Sequence, residues 1–207
     1  LEQDGDWSHY LLERTLCSEN RVAVRVGQGK APTPQEWELL QSELAILRQA
    51  ALVTSEEIAA ALGLPVPVPG WQTADRDFAA AYEERLRDLG RLGYGMFAGH
   101  AMFRLHEGEL EPVRHPDPIR QEELVGYERE RETVAANTRA LLAGLPAANI
   151  LLYGDSGTGK STCVKAVANE LAGEGLRLVE LRKDQLYLLP RLIDRLSGNP
   201  LRFILFI

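Results

Sequence analysis

The chain contains 207 residues, of which 45% are hydrophobic and 26% are charged, and this composition excludes a collagen-like or largely disordered protein. No apolar run reaches the roughly 20 residues that span a bilayer, and a formal net charge of −7 argues against membrane or nucleic-acid partners. With only Cys17 and Cys163 there is no disulfide framework, and since no signal peptide is visible we expect a cytoplasmic protein.

Up to about Gly93 the hydrophobic periodicity predicts helices. The run Thr33-Pro34-Gln35-Glu36 combines an N-cap, a proline in the first turn and a capping-box glutamate, and it predicts a helix over residues 33–51. A shorter helix is expected over residues 54–63, an extended proline-rich linker over 64–70, and a third helix over 78–92. The buried stripe predicted for the first of these helices consists of Trp37, Leu40, Leu44, Leu47 and Ala51.

A change of pattern follows the third helix. Residues 93–111 mix glycine with aromatic side chains and carry no clear secondary-structure prediction. The run His115-Pro116-Asp117-Pro118 is typical of a boundary. We therefore expect a smaller, mostly helical domain over residues 1–112 and a second domain over residues 113–207.

The second domain alternates helices and strands, a pattern that predicts a parallel sheet with helices on its faces and hence an α/β fold. The run Phe203-Ile204-Leu205-Phe206-Ile207 is uniformly apolar, as in a fully buried strand. The predicted helices cover residues 127–143, 160–172 and 186–196, and the predicted strands cover residues 150–153, 176–181 and 203–207.

One motif in this domain carries chemistry, because it satisfies the pattern G-x-x-x-x-G-K-[ST]. Gly154, Gly157 and Gly159 permit positive φ, so that backbone N–H groups turn inward around phosphate oxygens at the start of a helix. We expect Lys160 at the exposed rim, paired only with the β- and γ-phosphates, and the Ser161 hydroxyl on Mg²⁺. The alternative is a glycine-rich turn that binds no ligand. The predicted phosphate-binding residues are Gly154, Asp155, Ser156, Gly157, Thr158, Gly159, Lys160, Ser161 and Thr162.

At these residues the chain resembles the P-loop NTPases and, more narrowly, the AAA-type ATPases. The run Leu124-Val125-Gly126-Tyr127-Glu128 is similar to the short box with which AAA-type modules contact adenine, which implies adenine contacts for Gly126 and Tyr127. Most of residues 115–207 also resembles a bacterial family of AAA-type ATP-binding proteins whose function is unknown. The segments that carry this resemblance are residues 115–119, 137–138, 144–149, the glycine motif and residues 203–206.

The resemblance implies an AAA-type P-loop fold, binding of ATP or ADP with Mg²⁺, hydrolysis coupled to conformational change, and an assembly that can be homo-oligomeric. In the AAA pattern two acidic residues follow the strand that residues 203–207 resemble, and one later strand lies between that strand and residues 150–153. We therefore expect the domain to be incomplete at the C-terminus, the natural polypeptide to continue beyond Ile207, and these 207 residues to hydrolyse no ATP. Without their neighbour, residues 150–153 would leave backbone groups unpaired.

Two other functions fit the same motif. A P-loop kinase acting on a small molecule or a nucleotide would carry an identical glycine motif. A non-hydrolysing interaction module could use the nucleotide only to fix its shape. The protein substrate or partner of such a machine is not indicated by any motif in the chain.

Overall fold

The computed structural model describes residues 5–64 and 69–207. The chain forms two compact units, Leu1–Asp88 and Leu89–Ile207. Most of the predicted proline-rich linker, at residues 65–68, lies outside the described residues. Within the described ranges no helix combines the length and the apolar character that crossing a membrane requires.

The described part of the first unit is helical, as predicted. Each helix begins after a side chain that accepts a hydrogen bond from the first turn, and Thr33 and Thr54 form full capping boxes with Glu36 and Glu57. The helices are α1 (Trp7–Leu16), α2 (Arg21–Gly27), α3 (Pro34–Ala50), α4 (Ser55–Leu62) and α5 (Phe78–Arg87).

The core of the first unit lies between α2, α3 and α5. The predicted stripe of α3 is confirmed, since Leu40, Leu44 and Ala51 are buried while Trp37 and Leu47 pack against them from the edge. The third predicted helix ends earlier than expected, because the backbone leaves the helical region at Asp88 (φ −114°, ψ 18°). Residues 89–92 form a separate short helix that belongs to the second unit.

The second unit contains the sheet. Residues 93–111, for which no structure was predicted, supply a short helix and a β-hairpin that pairs with the strand at residues 176–180. Because of this pairing the unit begins at Leu89, whereas the sequence placed the boundary after residue 112. Its elements are α6 (Leu89–Leu92), α7 (Met96–Gly99), β1 (Met102–His106), β2 (Glu109–Pro112), α8 (Glu128–Leu142), α9 (Lys160–Leu171), β3 (Leu176–Glu180), α10 (Leu189–Ser197) and β4 (Arg202–Phe206).

The strand order is β2-β1-β3-β4. The pairs β1–β3 and β3–β4 are parallel, and Leu178 lies opposite Met102 on one side and Ile204 on the other. The pair β1–β2 is antiparallel, so the sheet is mixed and the expectation of a parallel sheet is wrong at this edge. The cause is the two-residue turn at Glu107 (φ 49°) and Gly108 (φ 85°), which reverses the chain with positive φ at both positions.

Helices cover both faces of this sheet. On one face, residues of β3 such as Leu176 and Leu178 pack with α8 and α9. On the other face, Phe103 and Val179 pack with Leu192 of α10. The unit is thus a mixed α/β structure whose core is divided by the four strands, and this arrangement fixes the position of α9.

Two predictions about strands are wrong. Residues 150–153 form no strand, and Leu151 and Tyr153 are 84% and 90% exposed. An extended segment is stable only when a neighbour satisfies its N–H and C=O groups, and no described strand lies beside this one. β4 is half-buried rather than fully buried, because it is the edge strand of the described sheet.

Gly175 connects α9 to β3 at a point where no side chain fits. Its φ is +98°, and an added Cβ would collide with the carbonyl oxygen of Gly90. We expect Gly175→Ala to lower the free energy of unfolding by about 2 kcal/mol or more, through backbone strain and overpacking. Gly173→Ala is the matched control, because a Cβ there meets no atom within 4 Å. Equal urea-unfolding curves by circular dichroism for the two variants would contradict this account.

Candidate functional site

A glycine-rich loop, residues 154–159, leads directly into α9. Gly154, Gly157 and Gly159 have φ values of 136°, 82° and 80°, so the predicted positive φ is confirmed at all three. Gly159 is the N-cap of α9, and no side chain caps the helix there. Side chains with a Cβ rarely adopt these angles, which explains the glycines at these positions.

The first turn of α9 presents free hydrogen-bond donors. The backbone N–H groups of Lys160, Ser161 and Thr162 make no hydrogen bond with the described part of the chain, and neither does that of Gly157. The first intrahelical bond involving the loop runs from the N–H of Cys163 to the carbonyl of Gly159 at 2.8 Å. Free donors and the positive end of the helix dipole make this an anion-binding position.

The position of the Lys160 side chain differs from the one predicted. It is half-buried rather than exposed at the rim, and its ammonium donates to oxygen atoms of the loop itself. The acceptors are the carbonyl of Gly154 at 3.0 Å, the carbonyl of Asp155 at 2.5 Å and the hydroxyl of Thr158 at 3.1 Å. An ammonium has three protons to donate, and these loop oxygen atoms are acceptors within hydrogen-bond distance of it.

The remaining predicted phosphate-binding residues surround the same loop. Gly154, Asp155 and Ser156 are exposed, and Thr162 is half-buried in the first turn of α9. Ser161 is exposed, and its hydroxyl makes no hydrogen bond with the described residues, so it is free to bind a cation. Within residues 5–64 and 69–207, no three His, Cys, Asp or Glu side chains are grouped as metal ligands.

A cavity of about 420 Å³ joins this loop to the start of α8. Ligand pockets commonly have volumes of 300–1,000 Å³. The predicted residues at its two ends are Gly126 and Tyr127 on one side and Gly157, Thr158, Gly159 and Lys160 on the other.

Apolar side chains form most of the wall between these two ends. Val134 and Cys163 are buried, and Leu124 and Leu152 pack against the same core cluster. Burial raises the pKa of the Cys163 thiol above its usual range, so at neutral pH it is an apolar wall residue. Sequence analysis placed Leu124 in the run that resembles an adenine-contacting box, but it gave no signal that Val134 and Cys163 would line the same cavity.

Gly126 and Tyr127 form a sharp bend before α8. Both have left-handed backbone angles, with φ of 78° and 57°. A positive φ is uncommon for tyrosine. Both residues of this bend line the cavity. The Tyr127 side chain is 58% exposed at the cavity mouth.

Arg131 is the second cation of the wall, and sequence reasoning did not assign it to the site. It donates to the carbonyl of Gln121 at 2.5 Å and lies 3.6 Å from a carboxylate oxygen of Glu128. Its Nε is buried without a hydrogen-bond partner in the described residues. Glu130 provides the one carboxylate among the described residues that line the cavity.

The cavity therefore offers anion donors and an ammonium at one end and an apolar, partly aromatic wall at the other. Such an arrangement fits an organic phosphate that carries a flat, weakly polar group. Among the described residues that line the cavity, Glu130 carries the one carboxylate, and none is a histidine.

Comparison with known protein families gives a match. The profile of a family described as "Protein of unknown function (DUF815)" matches residues 98–207, more than half of the chain. The matched range includes the sheet, the glycine-rich loop and both helices beside the cavity. No curated protein and no solved structure gives a significant match.

The contacts of Lys160 predict how loss of its ammonium changes the affinity of the chain for anions. We expect Lys160→Met to weaken binding of inorganic triphosphate about 10- to 100-fold, because a hydrogen bond to a charged group contributes roughly 1.5–3 kcal/mol. Lys165→Met on the same helix is the control, since Lys165 pairs with Glu180 at 3.7 Å and lies outside the cavity. Isothermal titration calorimetry measures both, and equal affinities would exclude Lys160 from the anion site.

Proposed function

Because the chain belongs to the DUF815 family, whose function is unknown, we propose its function from its own residues: it binds ATP with Mg²⁺ as the nucleotide-binding part of an AAA-type P-loop ATPase. One observation carries this proposal. The motif at residues 154–162 lies at the start of α9, where the N–H groups of Lys160, Ser161 and Thr162 make no hydrogen bond to the described residues. Residues 157–160 of the same motif line a cavity that reaches Gly126 and Tyr127.

The phosphate chain is proposed to occupy the glycine-rich loop. Its oxygen atoms would accept from the free N–H groups of Gly157 and of the first turn of α9. Lys160 would then exchange carbonyl acceptors of the loop for phosphate oxygens, which are charged and therefore stronger acceptors. This exchange favours di- and triphosphates over a single phosphate.

Mg²⁺ is proposed to arrive with the nucleotide. The donor set fits, because Mg²⁺ usually binds nucleotide phosphates, water and only one or two protein oxygen atoms. The Ser161 hydroxyl is exposed and free of hydrogen bonds to the described residues. When bound, the ion would neutralise phosphate charge, while this chain contributes Ser161 as its ligand.

The base is proposed to lie at the other end of the cavity. A purine ring is flat and largely apolar on its faces, and the wall there consists of Leu124, Val134 and Leu152 with the Tyr127 ring at the mouth. The backbone of Gly126 and Tyr127 would supply polar contacts to the ring edge. The resemblance to AAA-type modules supports the same assignment.

The surrounding contacts offer a route by which binding could change the shape of the unit. Asn169 of α9 donates to the carbonyls of Asp117 and Ile119 at 2.8 and 2.9 Å. Glu170 accepts from the backbone and the side chain of Gln121 at 2.8 and 2.7 Å. A shift of α9 on phosphate binding would therefore move residues 117–121.

Residues 117–121 also contact α8, through the side chain of Arg131. The carbonyl of Gln121 accepts from Arg131, which lies in the first turns of α8 beside the cavity. We propose that nucleotide binding moves α9, residues 117–121 and α8 together. A homo-oligomer or a protein partner could respond to such a movement.

A second candidate is a non-hydrolysing nucleotide-gated module. It is favoured by the single carboxylate, Glu130, in the cavity wall formed by described residues. Phosphate release that depends on Lys160 would favour the ATPase. The module instead predicts that no chain that contains residues 89–207 releases phosphate, although it binds the nucleotide tightly. The free Cys17 and Cys163 fit a reducing cytoplasm as the location for either.

The proposal predicts a dependence on phosphate number. ADP and ATP should bind at least about tenfold more tightly than AMP, since each charge-assisted hydrogen bond to the β-phosphate contributes roughly 1.5–3 kcal/mol. Calorimetric titration with the three nucleotides, in the presence of Mg²⁺, measures this ratio. The Lys160→Met variant should lose most of the preference, and Lys165→Met should keep it. Equal binding of AMP and ATP would point to a different ligand.

A further inference from the structure

We propose that Thr158 is a positioning residue that holds the Lys160 ammonium inside the ligand-free loop and thereby weakens binding of polyphosphates. This inference rests on the proposed function, because it concerns the same anion site. It assigns to Thr158 a role beyond that of a phosphate-binding loop residue. The hydroxyl would act on the ligand through Lys160.

The Thr158 hydroxyl takes part in a closed set of hydrogen bonds. Thr158 donates to the carbonyl of Asp155 at 2.9 Å and accepts from the Lys160 ammonium at 3.1 Å. The same carbonyl of Asp155 also accepts from Lys160. The three groups therefore form a triangle, and the carbonyl of Gly154 at 3.0 Å takes the third ammonium proton.

The triangle has a consequence for binding. The ammonium has three protons, and all three have acceptors within the loop. Lys160 can therefore contact a phosphate only after it releases at least one loop oxygen. The Thr158 hydroxyl is the one acceptor of the three that a side-chain substitution removes without changing the backbone.

Removal of the Thr158 hydroxyl changes the affinity for polyphosphates in opposite directions for a positioning role and for direct contact with phosphate. If the hydroxyl bound phosphate itself, its removal would weaken polyphosphate binding. If it stabilises the ligand-free position of Lys160, its removal makes that ammonium easier to release, and binding becomes tighter. The triangle favours the second mechanism, because the hydroxyl proton is already donated to Asp155.

The test is a double-mutant cycle in the full 207-residue chain. Thr158→Val removes the hydroxyl and keeps a branched side chain, and Thr158→Ser retains the hydroxyl. Thr133→Val is the matched control, because its hydroxyl bonds only to the carbonyl of Arg129 on the exposed side of α8, outside the cavity. Each variant is combined with intact Lys160 and with Lys160→Met.

Inorganic triphosphate and ATP are the two probes, and calorimetry gives the affinities. We expect Thr158→Val to bind both about two- to tenfold more tightly than the unsubstituted chain, the range that one net hydrogen bond allows. Thr133→Val should match the unsubstituted chain, and Thr158→Ser, which keeps the hydroxyl, should bind both probes less tightly than Thr158→Val. The gain should vanish when Lys160 is methionine.

A second measurement needs no ligand. The chain has four lysines, so the ammonium ¹⁵N–¹H signal of Lys160 can be identified by its loss in Lys160→Met. We expect slow proton exchange of this signal at low temperature in the unsubstituted chain and in Thr158→Ser. Faster exchange should follow Thr158→Val.

The outcomes are distinct. Unchanged or weaker binding by Thr158→Val, or an equal gain when Lys160 is methionine, would overturn this inference while the proposed ATP binding stands. Unchanged ammonium exchange in Thr158→Val would overturn it as well. If the unsubstituted chain binds neither ATP nor triphosphate, the proposed function and this inference both fail.

Discussion

The parallel pairing of β3 with both β1 and β4 is the constraint on which the rest of the second unit depends. β3 is the most buried strand of the sheet, with Leu176, Leu178 and Val179 almost wholly removed from solvent. Its two faces receive α9 on one side and α10 on the other. Because Gly175 joins α9 closely to β3, the direction of that strand also sets the direction of the helix and therefore the position of its N-terminus.

The candidate site follows from that placement. The N-terminus of α9 presents unpaired N–H groups, and the glycine-rich loop before it is held by its own oxygen atoms around Lys160. The loop is thus closed by a cation that an anionic ligand must displace or share. Under the proposed function, the affinity of the loop for phosphate would depend on this competition as much as on the number of donors.

Charge is distributed unevenly between the two units, in a way that matters for an anionic ligand. Residues 1–88 contain 15 acidic and 8 basic side chains, whereas residues 89–207 contain 15 of each. The acidic balance of the chain therefore belongs to the helical unit. The unit that carries the glycine-rich loop is neutral overall, so the local field of Lys160 and the α9 dipole is not opposed by the net charge of its own unit.

The amino-acid sequence by itself determined the features that depend on neighbours along the chain: the capping boxes at Thr33 and Thr54, the glycines with positive φ and the helix that begins at Lys160. Only the tertiary structure decided which strands form, because a strand needs a partner. Residues 102–106 pair with β3 and with residues 109–112, while residues 150–153 pair with no described strand. It also brought Gly126 and Tyr127 to the loop, because that proximity joins separate segments of the chain and no local pattern encodes it.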